Sequence, residues 1–158
     1  MSTSQKAIIF SINGEEYGLK LDDVISVEFT QDIESNPNFP PYIKGIKRAR
    51  GEMVPVIDLK EVFYDEKSDA DEGNRLIIVR TNDLPMSLYV QEVKEMIDIP
   101  NHALKQVSLI DNHNKRFLSG VANINGRLIV IIDPSSFIGW LEGMEIVKNY
   151  IHEQKQNV

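Results

Sequence analysis

Gly45-Ile46-Lys47-Arg48-Ala49-Arg50-Gly51-Glu52-Met53-Val54-Pro55-Val56-Ile57-Asp58 returns downstream as Gly120-Val121-Ala122-Asn123-Ile124-Asn125-Gly126-Arg127-Leu128-Ile129-Val130-Ile131-Ile132-Asp133. Both glycines, the isoleucine before the acid and the acid itself are identical, and the other apolar positions exchange conservatively. The offset is constant, which marks an internal duplication. In each copy an apolar strand ends at an aspartate, and a short helical turn follows, Lys60-Glu61-Val62-Phe63 in the first and Ser135-Ser136-Phe137-Ile138 in the second.

The segments before these copies are also related. Ile8, Phe10 and Ile12 alternate with more polar neighbours, Asn13-Gly14 interrupts, and Tyr17, Leu19 and Leu21 resume the alternation. This predicts a hairpin, because Asn-Gly supplies the positive φ values of a tight turn that follows strand twist. Residues 76–79, then Thr81-Asn82-Asp83, then Met86, Leu88 and Val90 predict a second one. Leu19, Leu21 and Val24 correspond to Leu88, Val90 and Val93 at one offset. Each half therefore reads as hairpin, loop, hairpin and helical turn. The first loop carries Asn36-Pro37-Asn38-Phe39-Pro40-Pro41, whose prolines exclude helix and central strand. The second has Pro100 and the polar stretch Asp111-Asn112-His113-Asn114-Lys115-Arg116, and residues 65–74 form an acidic linker.

With about five short strands per half and no long helical period between them, the chain is expected to be all-β, built from two small barrels. Residues 1–158 form a single unit with approximate lobes at 6–64 and 74–138. Each lobe alone is close to the size at which a core is marginal, so the two should bury surface against one another. Trp140, Met144, Val147 and Ile151 share one face at helical spacing, which predicts a C-terminal helix over 140–152 packed on a barrel.

Composition narrows the function. A formal charge of −7 opposes a general role on nucleic acid or anionic membrane, both of which rely on Lys and Arg. The absence of cysteine excludes disulfides, cysteine-ligated metals and thiol catalysis. The chain opens on a strand pattern with no leader-like segment, and the longest apolar run, 128–132, falls far short of the roughly 20 residues of a membrane helix. A cytoplasmic location is expected. His102, His113 and His152 lie in unrelated segments, so no metal motif can be built from them, and no phosphate loop or dinucleotide fingerprint implies a cofactor.

The strongest enzymatic candidates are Asp58 and Asp133, as a pair of carboxylates for a small hydrolase. Capping of the helical turns that follow them is the simpler reading. Lys44, Lys47, Arg48 and Arg50 form a basic cluster in an acidic chain, suited to a solvated turn or to contact with an acidic partner.

The order of these elements resembles the CheW-like domain of bacterial chemotaxis from about residue 6 to residue 138. The resemblance is carried by Ile9-Phe10, Gly14-Glu15-Glu16-Tyr17-Gly18-Leu19, residues 24–27, Tyr42-Ile43-Lys44-Gly45-Ile46 and Arg50-Gly51 followed by Val54-Pro55-Val56-Ile57-Asp58-Leu59. The second half adds Arg75-Leu76-Ile77-Ile78-Val79, Val93, Gly120 and Gly126-Arg127-Leu128. The resemblance implies two interlocked five-stranded SH3-like barrels and an adaptor, without enzymatic activity, that couples the cytoplasmic tip of methyl-accepting chemotaxis receptors to the CheW-like regulatory domain of the histidine kinase CheA. Carried over by position, it places Val24, Gly45, Arg50, Leu76, Val93 and Met96 in a receptor groove, with Val24 and Met96 on opposite walls. Kinase contacts fall at Lys105 and Val107 in the second lobe and at Leu21 on the first. No cofactor, metal or nucleic acid is implied, and the protein would be recruited to membrane-associated arrays without inserting. A coupling domain of a CheV-like protein is the alternative within the same family. The sequence departs from the family pattern at Lys47-Arg48-Ala49, where Asn and Leu are usual, and at Ser26, where an acid is common.

Overall fold

The computed structural model describes residues 3–105 and 118–156. The strands are β1 (Ser4–Ile12), β2 (Glu15–Lys20), β3 (Val24–Glu28), β4 (Ile33–Glu34), β5 (Ile43–Ala49) and β6 (Glu52–Asp58) in the first half. The second half contributes β7 (Arg75–Val79), β8 (Met86–Val90), β9 (Glu92–Pro100), β10 (Leu104–Lys105), β11 (Leu118–Ile124) and β12 (Arg127–Ile132). The helices are α1 (Leu59–Tyr64), α2 (Pro134–Trp140) and α3 (Met144–Gln156).

Pairing gives two sheets, in the orders β10-β11-β12-β2-β1-β9 and β4-β5-β6-β8-β7-β3. Each has five longer strands and one two-residue strand, as expected for two five-stranded barrels. The duplication maps β1 to β6 onto β7 to β12, and under that mapping the two sheet orders are identical. Each barrel is therefore four strands of one half plus the opening hairpin of the other. The exchange is made by parallel pairs, Tyr17 opposite Val130 and Ile57 opposite Leu88. Strand pairing consequently does not divide the chain into contiguous lobes at 6–64 and 74–138: β1 and β2 complete the second-half barrel, and β7 and β8 the first-half one.

Exchange makes the barrels inseparable. Phe10, Ile12 and Leu19 from one sheet share a core with Ile57, Ile77 and Leu88 from the other, closed by Phe137, Met144, Val147 and Ile151 from the helices. A second cluster, Ala7, Ile9, Ile99, Ala122, Ile129 and Ile131, lies within the first sheet. Ala49, Val54 and Ile78, and separately Val56, Leu76 and Tyr89, fill the other sheet. β1 thus buries both faces, Phe10 toward the shared core and Ile9 toward its own barrel, and does not keep the single inward face that Ile8, Phe10 and Ile12 predict. Removing a side chain such as Phe10 should cost about 3–5 kcal/mol, because both barrels lose a neighbour.

The duplicated glycines have a common cause. An ideal Cβ at Gly45 would lie 2.2 Å from the Glu34 carbonyl oxygen, and one at Gly120 would lie 2.7 Å from that of Lys105. The two-residue strands β4 and β10 pack over these positions, and both ladders shift register there.

Two expectations are corrected at the C-terminus and in the linker. Trp140 ends α2, and Gly143, at φ +83°, separates it from α3, which therefore runs over 144–156 and not 140–152. Met144, Val147 and Ile151 are buried as expected. Residues 65–74 are not simply solvated: Ser68 is held by Asp58, and buried Asn74 donates to the Tyr89 hydroxyl at 2.9 Å. No helix among the described residues is long and apolar enough to cross a membrane.

Candidate partner-binding surfaces

β3 and β9 are equivalent end strands of the two sheets, and each continues from an opening hairpin. Val24 on β3 pairs with Val79, and Val93 on β9 pairs with Phe10. Both valines are half-buried and pack at the edge of the shared core. Three residues further along each strand, Val27 and Met96 are 42% and 55% exposed. The duplication thus makes Val24 the counterpart of Val93, and Val27 that of Met96. Val24, expected on the wall opposite Met96, belongs in part to the core, whereas Met96 stands free of it.

The structure does not bring the other three groove candidates to one open surface. Leu76 is fully buried with Val56 and Tyr89, because β7 lies between β3 and β8 and turns Leu76 inward, so its side chain cannot meet a partner. Gly45 is buried, and the space above it is already taken by β4. Arg50 is exposed at the β5–β6 turn with φ +55°, followed by Gly51 at +79°. The duplicate turn between β11 and β12 uses Asn125-Gly126, and the β1–β2 turn uses Asn13-Gly14, in the same conformation, where asparagine fits more easily than arginine. Ala49, next to Arg50, packs with Ile25, next to Val24.

The basic cluster is dispersed by strand alternation. Lys47 is buried and donates to the Gln31 carbonyl at 2.6 Å, while Lys44 lies 3.8 Å from Asp58 and over the Tyr89 ring. Arg48 and Arg50 remain on the surface. Ser26, at the other departure from the family pattern, donates to Glu28 at 2.8 Å.

Of the expected kinase contacts, Leu21 sits half-buried in a single 3-10 turn after β2, and Lys105 is exposed on β10. Because β2 joins the second-half barrel, the two positions do not lie on different lobes. Their neighbours Lys20 and Leu104 line one small cavity in the same sheet. Val107, like the polar stretch at 111–116, lies outside the described residues.

The duplicated aspartates are caps. Asp58 accepts from the Lys60 amide at 3.2 Å, and Asp133 from the Ser135 amide at 3.2 Å. Asp58, 2% exposed, also accepts from the Ser68 amide at 2.9 Å and hydroxyl at 2.6 Å. Asp133 accepts from the Ser136 hydroxyl at 2.9 Å. Their oxygens are occupied by backbone and serine donors, which suits stapling better than proton transfer. Burial and the Asp133 charge raise the pKa of Asp23. Among the described residues no cluster of three or more His, Asp or Glu could hold a metal.

One group was not legible in the sequence. Arg127 makes a bidentate pair with Glu16, at 3.0 and 2.7 Å, and reaches Glu95 at 2.8 Å. The hydrogen bonds from Arg127 hold the Glu16 carboxyl below its ordinary pKa despite partial burial. The network ties the exchanged hairpin to its adopted barrel across the parallel β12–β2 seam.

The profile of the CheW-like domain matches residues 6–142, which includes every strand but the first two residues of β1. The chain belongs to the CheW-like family. It is 26% identical over 139 residues to the chemotaxis protein CheW of Bacillus subtilis (strain 168), covering 87% of this chain and 89% of that protein. The chemotaxis protein CheW of Klebsiella aerogenes is 23% identical over 149 residues, covering 94% and 89%. In structure the chain resembles the scaffolding protein TtCheW from Thermoanaerobacter tengcongensis, with a TM-score of 0.76 and 31% identity over 85% of this chain and 88% of that one. The CheW-like match ends just before α3, so that helix lies beyond the family's matched span.

Proposed function

We propose that this protein is a chemotaxis adaptor that joins the cytoplasmic tip of methyl-accepting receptors to the CheW-like regulatory domain of the histidine kinase CheA. The observation that carries the reading is the CheW-like match over residues 6–142, with both exchanged barrels complete around it. A receptor surface built on β3 and β9 is supported by the exposed apolar pair Val27 and Met96. Val24 and Val93 form its floor, and Arg50 supplies a charged contact at its margin, suited to register a helical partner. Gly45 and Leu76 act from beneath, by holding β4 and the barrel interior. Leu21, Lys105 and Val107 are the kinase-facing positions. The protein works in the cytoplasm, recruited to receptor arrays, and transmits receptor state without turnover of its own.

Titration of purified kinase regulatory domain and receptor fragment tests this. Met96→Asp and Arg50→Ala should each weaken receptor binding while leaving kinase binding nearly unchanged. Normal receptor affinity in both variants refutes the surface, and failure of the parent protein to bind either partner refutes the function.

A further inference from the structure

β3 carries an exposed apolar row past Val27. Phe29, just beyond the strand, is 64% exposed. One step past the Glu28–Leu76 pair it meets Arg75 of β7, whose guanidinium carbon lies 4.7 Å from the centre of its ring. Arg75 shares a face of β7 with Ile77, the residue opposite Val27, so Phe29 continues the Val27 side. Arg75 Nη1 donates to the Glu72 and Asn74 carbonyls at 2.6 and 2.8 Å, which holds the guanidinium over the ring. Its Nε and Nη2 donate to nothing among the described residues, and Arg75 forms no ion pair there. Glu28, the neighbouring carboxylate, accepts from Ser26 instead.

The duplicate copy shows how these positions are satisfied in water. At the offset that relates Leu19 to Leu88, Phe29 corresponds to Asp98 and Arg75 to Lys6. Lys6 and Asp98 lie opposite one another on β1 and β9 and form an ion pair at 3.3 Å, with both side chains more than half exposed. In the first-half barrel an aromatic ring stands where that anion would be, so the cation has lost its partner and kept its charge. Lys47 donates to the Gln31 carbonyl and β4 runs antiparallel to β5, so the chain leads from Phe29 to the β5–β6 hairpin. Arg48 and Arg50 are exposed there, and neither forms an ion pair among the described residues. In a chain of formal charge −7, this margin is suited to an acidic partner. Phenylalanine and arginine are enriched where proteins meet, whereas lysine and aspartate are depleted, and a guanidinium laid on a ring still presents an outer edge that takes a carboxylate bidentately. We infer that Phe29 and Arg75 form an acid-selecting end of the receptor surface, where the partner helix sets a carboxylate against the Nε–Nη2 edge of Arg75 and an apolar side chain on Phe29. This rests on the receptor reading above for its partner, and adds the acidic residue that partner must carry. The matching corner at Lys6 and Asp98 is satisfied within the chain, so the helix lies with its acidic end toward the first-half barrel.

Grafting the duplicate's solution onto the first half tests this in the full chain. Phe29→Asp gives Arg75 an anion of its own, so melting should be unchanged or raised while affinity for purified receptor fragment falls about tenfold. Arg75→Gln should lose about fivefold. Its affinity should also fall less steeply than the parent's as salt rises from about 0.05 to 0.5 M, because a carboxylate contact is screened and lost packing is not. Lys6→Gln should bind as the parent does, and all three variants should keep their affinity for the kinase regulatory domain. Where Met96→Asp weakens receptor binding, parent-like affinity in Phe29→Asp or a parent-like salt slope in Arg75→Gln overturns the inference and leaves the receptor reading standing. Losses shared equally by the kinase domain, or by Lys6→Gln, also overturn it. Normal receptor affinity in Met96→Asp, or a parent that binds no receptor fragment, overturns the receptor reading and this inference with it.

Discussion

Replacing Asp58 by alanine should cost far more than the same change at Asp133, although duplication placed the two at equivalent positions. Asp133 holds one helix-turn amide and one serine hydroxyl, and its site is open enough for water to replace them. Its loss should resemble that of an ordinary cap, about 1 kcal/mol. Asp58 is buried, caps α1, receives two bonds from Ser68 and faces Lys44 at 3.8 Å. Removing it leaves Lys44 without its counter-charge and strands the Ser68 donors, so the cost should approach the 3–5 kcal/mol, roughly, of one partner lost from a buried charged pair. That is a large share of a marginal total. Urea denaturation of the two variants and of the parent measures it, provided the slopes agree. Ser68→Ala combined with Asp58→Ala should be markedly sub-additive, with a coupling of about 1–2 kcal/mol. The freed linker should also be cut faster by trypsin at Lys67. Equal losses for Asp58→Ala and Asp133→Ala, or full additivity with Ser68→Ala, would refute the staple.

Met96→Asp should leave thermal melting almost unchanged, whereas Val24→Asp should lower it by roughly 1–3 kcal/mol, because Val24 packs on the shared core; calorimetry decides, and equal melts would mean both side chains are free of the core. Arg50→Asn should raise stability on the order of 0.5 kcal/mol, since asparagine tolerates the left-handed turn, yet weaken receptor binding; retained affinity would remove Arg50 from the contact. Asp23→Asn should stabilise the protein at neutral pH, with a gain that shrinks as pH falls. The folded pKa of Asp23 is raised, first by burial and then by Asp133, so its ionised form penalises the native state once pH exceeds the unfolded value and does so fully above the folded one. A melting advantage that persists undiminished below the ordinary carboxylate range would contradict that sign.

The repeat around Gly45 and Gly120 was legible because its cause is local: a carbonyl crosses each glycine, and an aspartate caps each following turn. Partner choice among hairpins was less so, since a constant offset says that β1 resembles β7 but not which half β1 pairs with. The same gap hid Leu76, whose inward direction depends on its neighbours in the sheet, and Lys47, which strand alternation turns away from Arg48. Offset alone did contain the Val24–Val93 and Val27–Met96 equivalences, visible once both end strands are counted from their hairpins. The Arg127 network joins residues distant in sequence, and no spacing rule brings such residues together.

The exchanged hairpins also set an order of events during synthesis. β1 and β2 leave the ribosome first, but their barrel partners β11 and β12 follow about a hundred residues later, roughly 5–20 s at ordinary elongation rates. Through that interval a hairpin with two apolar faces has no native sheet to join, whereas β4 to β8 can already associate. The chain therefore assembles its later-numbered barrel last, around a segment made first, with the high contact order that slows folding. An intermediate with its opening hairpin undocked is the species in which a second chain's hairpin could insert, so the feature that locks the two barrels together in the finished protein also gives the nascent one its route to domain-swapped pairs.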